Sequence, residues 1–397
     1  MPAVTKWSVV KDDGGQKQRW KLIPRIALLA CLAIVVISLG IALSPRSPEE
    51  PAEPPFSEQA RSAALAETMR LRAAGEALGT PAAGDGQPAV AQTVSLLTGH
   101  ARALLLPGQD NPASLLPSGP ATPSDVPSDA PSRAPTAVRT AAPLPSSAAA
   151  LATALADSAA QRLADAAVAD GGMARLLAAV GTAQLLQASS LATAAGAPAP
   201  AVPDPAAPPL SGACPGDPGS PSSAPAVASA AAATPPSGPE GAGAGARAGA
   251  ATLPGALAAT VETELESVYG YQVALTRLGG EAAARAAEQL ATHEALAAAA
   301  GTLSQVHCAP VPPHEAGYTM DQDFLAAPAA GLGGLEASAL PVYGDLVALS
   351  AGQTRQWAIA GLVGAARRSA LWGAETGALP GLTADPAGFP ELPSPGP

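Results

Sequence analysis

Four helix-forming stretches between Leu257 and Trp372 constrain the fold of this chain more than any other feature. In the first, apolar residues recur every three or four positions, so they lie along one side of a helix that faces a core. Gly279-Gly280 ends this helix, and Glu281 opens a second one, which is predicted to stop at Gly301. The first half of this region is therefore a pair of helices joined by a short hairpin.

A long connection and a short one follow. The Pro-rich passage 308–313 leads into a third helical run at about Leu335 to Leu349, in which Pro341 should kink or restart the helix. The residues Ser350-Ala351-Gly352 separate it from a fourth run, Gln353 to Trp372. Short, long and short connections are typical of a four-helix bundle with one crossover. Because strand signals are nearly absent, the sequence predicts an all-α protein.

Several weak motifs occur in a fixed order along these stretches. They are Glu264-x3-Val268-Tyr269-x-Tyr271, Gly279-Gly280, His293, Leu335-Glu336-x6-Tyr343-x-Asp345, Arg368-x3-Trp372 and Phe389-Pro390-x-Leu392. In this order they resemble a ferritin-like domain family of unknown function that recurs in exported and membrane-anchored proteins of actinobacteria. The resemblance implies a ferritin-like four-helix domain over residues 254–375, followed by a tail over 376–397.

The centre of such a bundle is a candidate metal site. A carboxylate-bridged di-iron centre needs a Glu from each of two helices and a Glu-x-x-His from each of the other two. The candidate metal ligands here are Glu264, His293 and Glu336, with Asp345 as an alternative to Glu336. The fourth helix carries neither an acidic residue nor a histidine, and Leu290 stands where the Glu of a Glu-x-x-His would be. The sequence therefore predicts a metal-free bundle with no cofactor.

A structural role for His293 is the competing interpretation. A histidine on an apolar helix face is more often a core residue that is hydrogen-bonded to a buried partner, here Glu264, Tyr269 or Tyr271. Signals for other chemistry are weak. A loop zinc site would use His307-Cys308 and His314-Glu315, but Pro-rich spacing does not favour tetrahedral closure. There is no nucleophile elbow and no phosphate-binding glycine motif, so the sequence favours a protein that is not an enzyme.

The first 43 residues predict a membrane anchor. Residues 1–25 carry six basic and two acidic residues, and the charge-free run 26–43 would form about 27 Å of helix, enough to cross a bilayer. By the positive-inside rule the N-terminus is cytoplasmic and the rest is extracellular. A cleaved signal peptide is the alternative, although Pro45 makes a poor cleavage site.

The middle of the chain alternates between helical and low-complexity sequence. A linker over 44–56 precedes a helical pair over 57–107, and a second pair over 146–195 is predicted to break at Gly171-Gly172. These four helices are expected to pack as a separate small bundle. The Pro-rich insert 108–145 and the Ala/Pro/Gly linker 196–253 have the composition of disordered segments.

The three cysteines allow one pairing outside the membrane. Cys31 falls within the predicted span, which leaves Cys214 and Cys308 on the oxidising side, and we expect a disulfide between them. Two free thiols or a bond between chains remain the alternatives.

Charge limits the partners of the extracellular part. The formal net charge of the chain is −11, although its first 25 residues are basic, and no lysine follows Lys21. An acidic body of this kind argues against nucleic acid binding. The sequence thus predicts a single-pass membrane protein that displays a metal-free ferritin-like bundle to an envelope protein or cell-wall partner. The alternative is a metal-dependent protein of the same fold, either iron-binding or an oxidase.

Overall fold

We describe the fold from a computed structural model, which describes residues 28, 32, 53–79, 88–105, 143–199, 252–382 and 388–392. The chain divides into two compact units, 1–54 and 55–397. The described residues contain nine α-helices and no β-strand, so the predicted all-α class is confirmed. The helices are α1 Phe56–Leu78, α2 Pro88–Leu104, α3 Ala148–Val168, α4 Gly171–Ala194, α5 Leu253–Leu275, α6 Gly280–Val306, α7 Gln322–Ala326, α8 Pro328–Leu349 and α9 Gly352–Leu371.

Two helix boundaries differ from the prediction at glycines. The predicted break at Gly171-Gly172 is displaced, because the side chain of Asp170 caps α4 by accepting from Met173 N and Gly171 is the first helical residue. Any side chain at Gly171 would overlap the carbonyl of Ala348, so this glycine lets α4 approach α8 closely.

The second difference is at the end of α6. The helix does not stop at Gly301 but continues to Val306, since Ala300, Leu303 and Ser304 still face the core. His307 caps the helix, the next residue Cys308 has a φ of 54°, and Ala309 N donates to Ser304 O at 2.8 Å. This is a Schellman end with a cysteine at the position that glycine usually takes.

The third predicted helix is longer than expected. It begins at Pro328 rather than near Leu335, and it runs through Pro341 without a restart. The short helix α7, which the sequence pattern did not predict, precedes it and is capped by the Asp321 side chain, which accepts from Phe324 N at 2.6 Å.

The four long helices between residues 253 and 371 pack side by side. α5 packs against α6 and α8, and α8 packs against α9. The long connection predicted between the second and third long helices is present, and it contains α7. This arrangement brings the inner faces of α5, α6, α8 and α9 to one centre.

The upstream helices do not form the separate bundle that the sequence predicted. α3 and α4 pack against each other, but α4 also packs against α8 and α9. Leu177, Leu340 and Leu362 belong to one contiguous apolar core. The reason for the difference is that an amphipathic pattern shows which face is buried without showing what buries it.

The residues after α9 join the two sets of helices. His100 on α2 donates from Nε2 to the Ala378 carbonyl at 2.7 Å, and Arg175 on α4 donates to Gly381 O at 2.8 Å. Arg102 donates to the carbonyls of both Phe389 and Pro390 at 3.0 Å. The C-terminal residues therefore hold α2 and α4 against the downstream helices.

Among the described residues, one helix is long and apolar enough to cross a membrane by length and composition. This helix is α4, and 72% of its apolar window is buried inside the molecule. The predicted span 26–43 lies outside the described residues except for Leu28 and Leu32, which are helical and exposed. The predicted segments 108–145 and 196–253 also lie outside them, apart from their ends.

Candidate functional site

A cluster of polar side chains lies buried where α5, α6, α8 and α9 meet. We call it the central network. Five of its members have no exposed surface, and the sixth, Arg368, is 8% exposed. Trp372, just after α9, joins it from the side. The buried members are Glu264 and Tyr271 from α5, His293 from α6, Glu336 and Tyr343 from α8, and Arg368 from α9.

His293 bridges two carboxylates on different helices. Its Nδ1 lies 2.7 Å from Glu264 Oε2, and its Nε2 lies 2.7 Å from Glu336 Oε1. Ionised carboxylates only accept hydrogen bonds, so the ring satisfies both when each nitrogen carries a proton. Burial alone would lower the pKa of His293, but the hydrogen bonds and charges of Glu264 and Glu336 outweigh it and raise that pKa.

Glu336 is the most heavily bonded member. The Arg368 Nε lies 3.0 and 2.9 Å from its two oxygens, and the Tyr271 hydroxyl donates to Oε1 at 2.7 Å. Burial would raise the pKa of Glu336, but the hydrogen bond from His293 and the Arg368 charge outweigh it, and the pKa is lowered. With His293 protonated, two carboxylates face two cations, and the centre is electrically neutral.

The two tyrosines connect α5 and α8 reciprocally. Tyr271 on α5 donates to Glu336 on α8, while Tyr343 on α8 donates to Glu264 on α5 at 2.6 Å. In each helix the Glu precedes the Tyr by two turns, so the cross pairs require α5 and α8 to be antiparallel. Burial, followed by the charges of the carboxylates, raises the pKa of both hydroxyls, which therefore remain donors.

The surroundings fix the tyrosines in place. Trp372 Nε1 donates to the Tyr271 hydroxyl at 2.8 Å, and the Tyr271 and His293 rings lie 4.9 Å apart. A side chain at Gly361 on α9 would overlap the Tyr343 ring, so this position must be glycine for α9 to pack here.

The candidate site residues that the sequence predicted lie in two different places. Glu264, His293 and Glu336 are brought together, and His293 is hydrogen-bonded to Glu264, one of the buried partners that its structural interpretation named. Asp345 points elsewhere and pairs with Arg175 on α4 at 2.5 Å. Arg368 was part of a sequence motif but was not predicted to belong to the site; the signal available was an arginine on the core face of a helix without acidic residues.

These residues do not fit a two-metal centre. Such a centre takes carboxylates from all four helices and two imidazoles, whereas the network holds two carboxylates and one imidazole with both nitrogens engaged. A guanidinium, which donates hydrogen bonds but cannot ligate a cation, lies against Glu336. In the part of the chain that the structure describes, no three His, Cys, Asp or Glu side chains are arranged to hold a metal ion.

The loop after α6 holds a disulfide rather than a thiolate. Cys308 is disulfide-bonded, so its sulfur is not free to bind zinc. Its partner lies outside the described residues, where the sequence has Cys31 and Cys214. The neighbouring His307 is bonded through Nε2 to the Thr354 hydroxyl at 2.8 Å. The predicted Cys214–Cys308 pairing stays a prediction.

A surface cleft of 460 Å³ lies beside α7, and no member of the central network lines it. Its walls combine apolar residues such as Phe324 and Leu335 with the acidic residues Glu266, Asp321 and Asp323. Burial raises the pKa of Glu266.

Fold and site together define an all-helical domain built around a buried, hydrogen-bonded cluster of two carboxylates, two tyrosines, a histidine and an arginine. Residues 256–384 match the model of a family described as a domain of unknown function, DUF4439. The C-terminal part of the chain thus carries a domain of unknown function, and the matched residues include the whole central network. No curated protein and no solved structure matches this chain.

Proposed function

We propose that this chain is a single-pass membrane protein that displays a metal-free, ferritin-like four-helix bundle outside the cell and works by contact with an envelope protein or cell-wall partner. The bundle would consist of α5, α6, α8 and α9. Its support is the crossover between α6 and α8, the antiparallel pairing of α5 with α8, and the resemblance to actinobacterial ferritin-like domains.

One observation carries the non-enzymatic part of the proposal. α9 contributes Arg368 to the centre, where a metal-binding bundle would contribute a carboxylate and an imidazole. The buried carboxylates are already compensated by the side chains of the chain itself. The centre therefore stabilises the bundle, and the outer surface is left to carry the function.

The membrane part of the proposal rests on the sequence. The basic segment 1–25 followed by the uncharged run 26–43 favours a single span with a cytoplasmic N-terminus. A disulfide at Cys308 accords with an oxidising compartment.

Metal content and topology test the proposal. Full-length protein, extracted from its membrane in mild detergent without chelators, should contain less than about 0.1 iron per chain, whereas a di-iron oxidase would hold about two. Fused to the C-terminus, alkaline phosphatase should be active, because it folds only outside the cytoplasm, and fused green fluorescent protein should be dark. Stoichiometric iron would favour the metal-dependent alternative, and the opposite reporter pattern would exclude display outside the cell.

A further inference from the structure

We propose that the surface cleft beside α7 is the binding site for a segment of a partner protein that carries a lysine or arginine side chain close to an apolar one. The inference rests on the proposed function and deepens it, because it names where the partner would bind and by what chemistry. The cleft has a volume of 460 Å³, which is within the range of about 300–1,000 Å³ that ligand pockets in proteins occupy.

The floor of the cleft is apolar. Side chains from α7, α8 and the segment before α7 converge on Gly270 of α5, where a Cβ would lie 2.6 Å from the Leu335 side chain. It would also lie 3.7 Å from Phe324 and 3.8 Å from Met320. The glycine lets these side chains pack close to α5. Met320 and Leu335 are only half-buried, so the floor can still cover an apolar side chain of a ligand.

One wall of the cleft is elongated and has no large side chain on it. α8 contributes the exposed small residues Ala330, Gly334 and Ser338, which lie on one face of the helix over about 12 Å. A Cβ at Gly334 would meet nothing within 4 Å, so the cleft is open along this wall. At about 3.3 Å per residue, such a wall matches about four residues of extended chain. This shape favours a polypeptide segment as the occupant.

The rim of the cleft is acidic. Glu266, Asp321 and Asp323 line it, whereas no described lysine, arginine or histidine does. The Asp321 carboxylate caps α7. The carboxylates of Glu266 and Asp323 make no hydrogen bond and no ion pair with the residues that the structure describes. Two acidic side chains are therefore left to meet a cation from outside.

Glu266 gains most from such a cation. It is half-buried, and burial raises its pKa because no neighbouring group favours its ionised form. A carboxylate that has lost part of its hydration is stabilised when a positive charge comes close. The described acidic residues are not grouped to hold a metal ion, so the complementary charge is that of a lysine or arginine side chain.

The acidic surface extends beyond the rim. The pKa of the Tyr318 hydroxyl is raised by burial and then by the charges of Glu266, Glu315 and Glu262. These carboxylates therefore lie close enough together to act on one group. A cationic segment would be attracted to this side of the domain before it reaches the cleft.

Peptide binding to the full-length protein tests the inference. The probe is the peptide Lys-Ala-Leu-Ala-Lys, labelled with fluorescein at its N-terminus and amidated at its C-terminus. Fluorescence anisotropy is measured in mild detergent at about 0.15 M salt, which screens attraction from distant charges. Peptides with Gln for both Lys, or with Ser for Leu, should bind at least about fivefold more weakly. Equal binding of all three peptides would overturn the inference.

Charge variants locate the binding. Glu266→Gln combined with Asp323→Asn should weaken binding of the lysine peptide at least about fivefold. The matched control is Glu288→Gln combined with Glu294→Gln, which removes the same charge from exposed positions on α6 and should change the affinity less than about twofold. Equal losses in the two proteins would mean a general attraction to an acidic surface, and the assigned site would be wrong.

A pair of glycine substitutions tests the shape. Gly334→Leu places a side chain in the open wall of the cleft and should weaken binding at least about tenfold without lowering the melting temperature. Gly301→Leu, on α6, also adds a side chain where nothing lies within 4 Å of the Cβ, and it should bind the peptide as the natural protein does. Unchanged binding by Gly334→Leu would contradict the inference.

Other occupants of the cleft give different results. If spermidine displaces the peptide at concentrations equal to those of unlabelled peptide, a small polyamine is sufficient and the assignment to a polypeptide is wrong. The segments 108–145 and 196–253 contain Arg133, Arg139 and Arg247. If the peptide binds only after these three are changed to Gln, the chain itself fills the cleft and the assignment to a partner is wrong.

The two proposals fail separately. If no peptide binds while the protein is free of iron and its C-terminus lies outside the cytoplasm, only the binding site is wrong. If the peptide binds at the cleft but the protein carries stoichiometric iron or shows the opposite topology, the proposed function is wrong and the site stands.

Discussion

His293 holds two buried carboxylates at once, and its removal should therefore cost more than an ordinary core hydrogen bond. In His293→Ala, Glu264 and Glu336 lose their shared partner, and of the charged members of the network only Arg368 remains to balance them. We expect the free energy of unfolding to fall by about 3–5 kcal/mol, as for other broken buried ion pairs. Urea denaturation measures it. Glu294→Ala, an exposed change on the same helix, should stay within about 0.5 kcal/mol, and a loss below about 1 kcal/mol for His293→Ala would refute the ionic role.

His100 should make the fold sensitive to acid. It is fully buried, and burial lowers its pKa to about 4 although the hydrogen bond to Ala378 opposes the shift. Between its ordinary pKa of 6.5 and 4, the unfolded chain binds a proton that the folded chain does not. Stability should therefore decrease as the pH falls through this window, by about 1.4 kcal/mol per pH unit at most.

A pair of substitutions isolates this effect. His100→Gln has no titrating group at that position, so its unfolding free energy should lose less on going from pH 6.5 to pH 4.5 than that of the natural protein. His314→Gln, in an exposed loop, should keep the natural pH dependence. Parallel curves for all three proteins would show that His100 does not control this titration.

At this scale the sequence pointed to four of the six buried members of the central network, with Tyr271 only as one of several possible partners of His293. Glu264, His293 and Glu336 stood out because charged and imidazole groups are rare on apolar helix faces. Arg368 did not stand out, because arginine in the last turn of a helix ordinarily interacts with the helix dipole and solvent. With Arg367 beside it, the pattern did not show which of the two faces the core.

At the scale of the helices, two glycines should respond oppositely to the same substitution. In Gly361→Ala, the added methyl group would lie 2.0 Å from a carbon of the Tyr343 ring, so α9 must move away from α8. We expect this change to destabilise the protein by about 2 kcal/mol or more. Gly301→Ala adds a methyl group in open space within α6 and should stabilise it by about 0.5–1 kcal/mol. Thermal denaturation compares the two, and a similar shift for both would contradict the packing of α9 on Tyr343.

Helix existence was predictable here, but helix ends were not. Gly301 was expected to end α6 because glycine favours helix termini, yet Ala300 and Leu303 lie on the buried face and burial outweighs the propensity of one residue. Similarly, α8 begins at Pro328 because proline is well suited to the first helical turn. Such ends depend on tertiary contacts that periodicity does not contain.

At the scale of the whole molecule, the described helices within residues 56–194 and those within residues 253–371 share one core. The separate bundle was a reasonable expectation, since the linker 196–253 has the composition of a tether between domains. The composition of the linker does not show whether the helices before it pack against the helices after it. Leu177 on α4 packs in the same cluster as Leu362 on α9, and Arg355 on α9 donates to the Ala169 carbonyl.

Cleavage of the linker tests this shared core. A protease site inserted after Pro205 in the full-length protein should be cut without separating the halves, which are expected to coelute in size-exclusion chromatography under native conditions. The buried leucines and the bonds to the C-terminal residues provide the attraction. Elution as two separate species would show that the halves are joined only by the linker.

The same digest identifies the partner of Cys308. On a denaturing gel without reductant, a Cys214–Cys308 bond leaves two bands, because both cysteines follow the cut. A Cys31–Cys308 bond crosses the cut and leaves one band, which reduction would split. The predicted pairing requires the first result.

The reciprocal Glu–Tyr pairs have a further consequence, for the register of the helices. Much of the shared core consists of alanine, as at Ala256, Ala339 and Ala365, and such smooth surfaces offer little resistance to sliding. A slip of α8 along α5 by one turn, about 5.4 Å, would part Tyr271 from Glu336 and Tyr343 from Glu264 in a single step. Each of these four buried polar groups would then lose one of its hydrogen bonds at the same time. The network thus makes neighbouring alignments of the helices costly in a core whose apolar side chains alone would tolerate several.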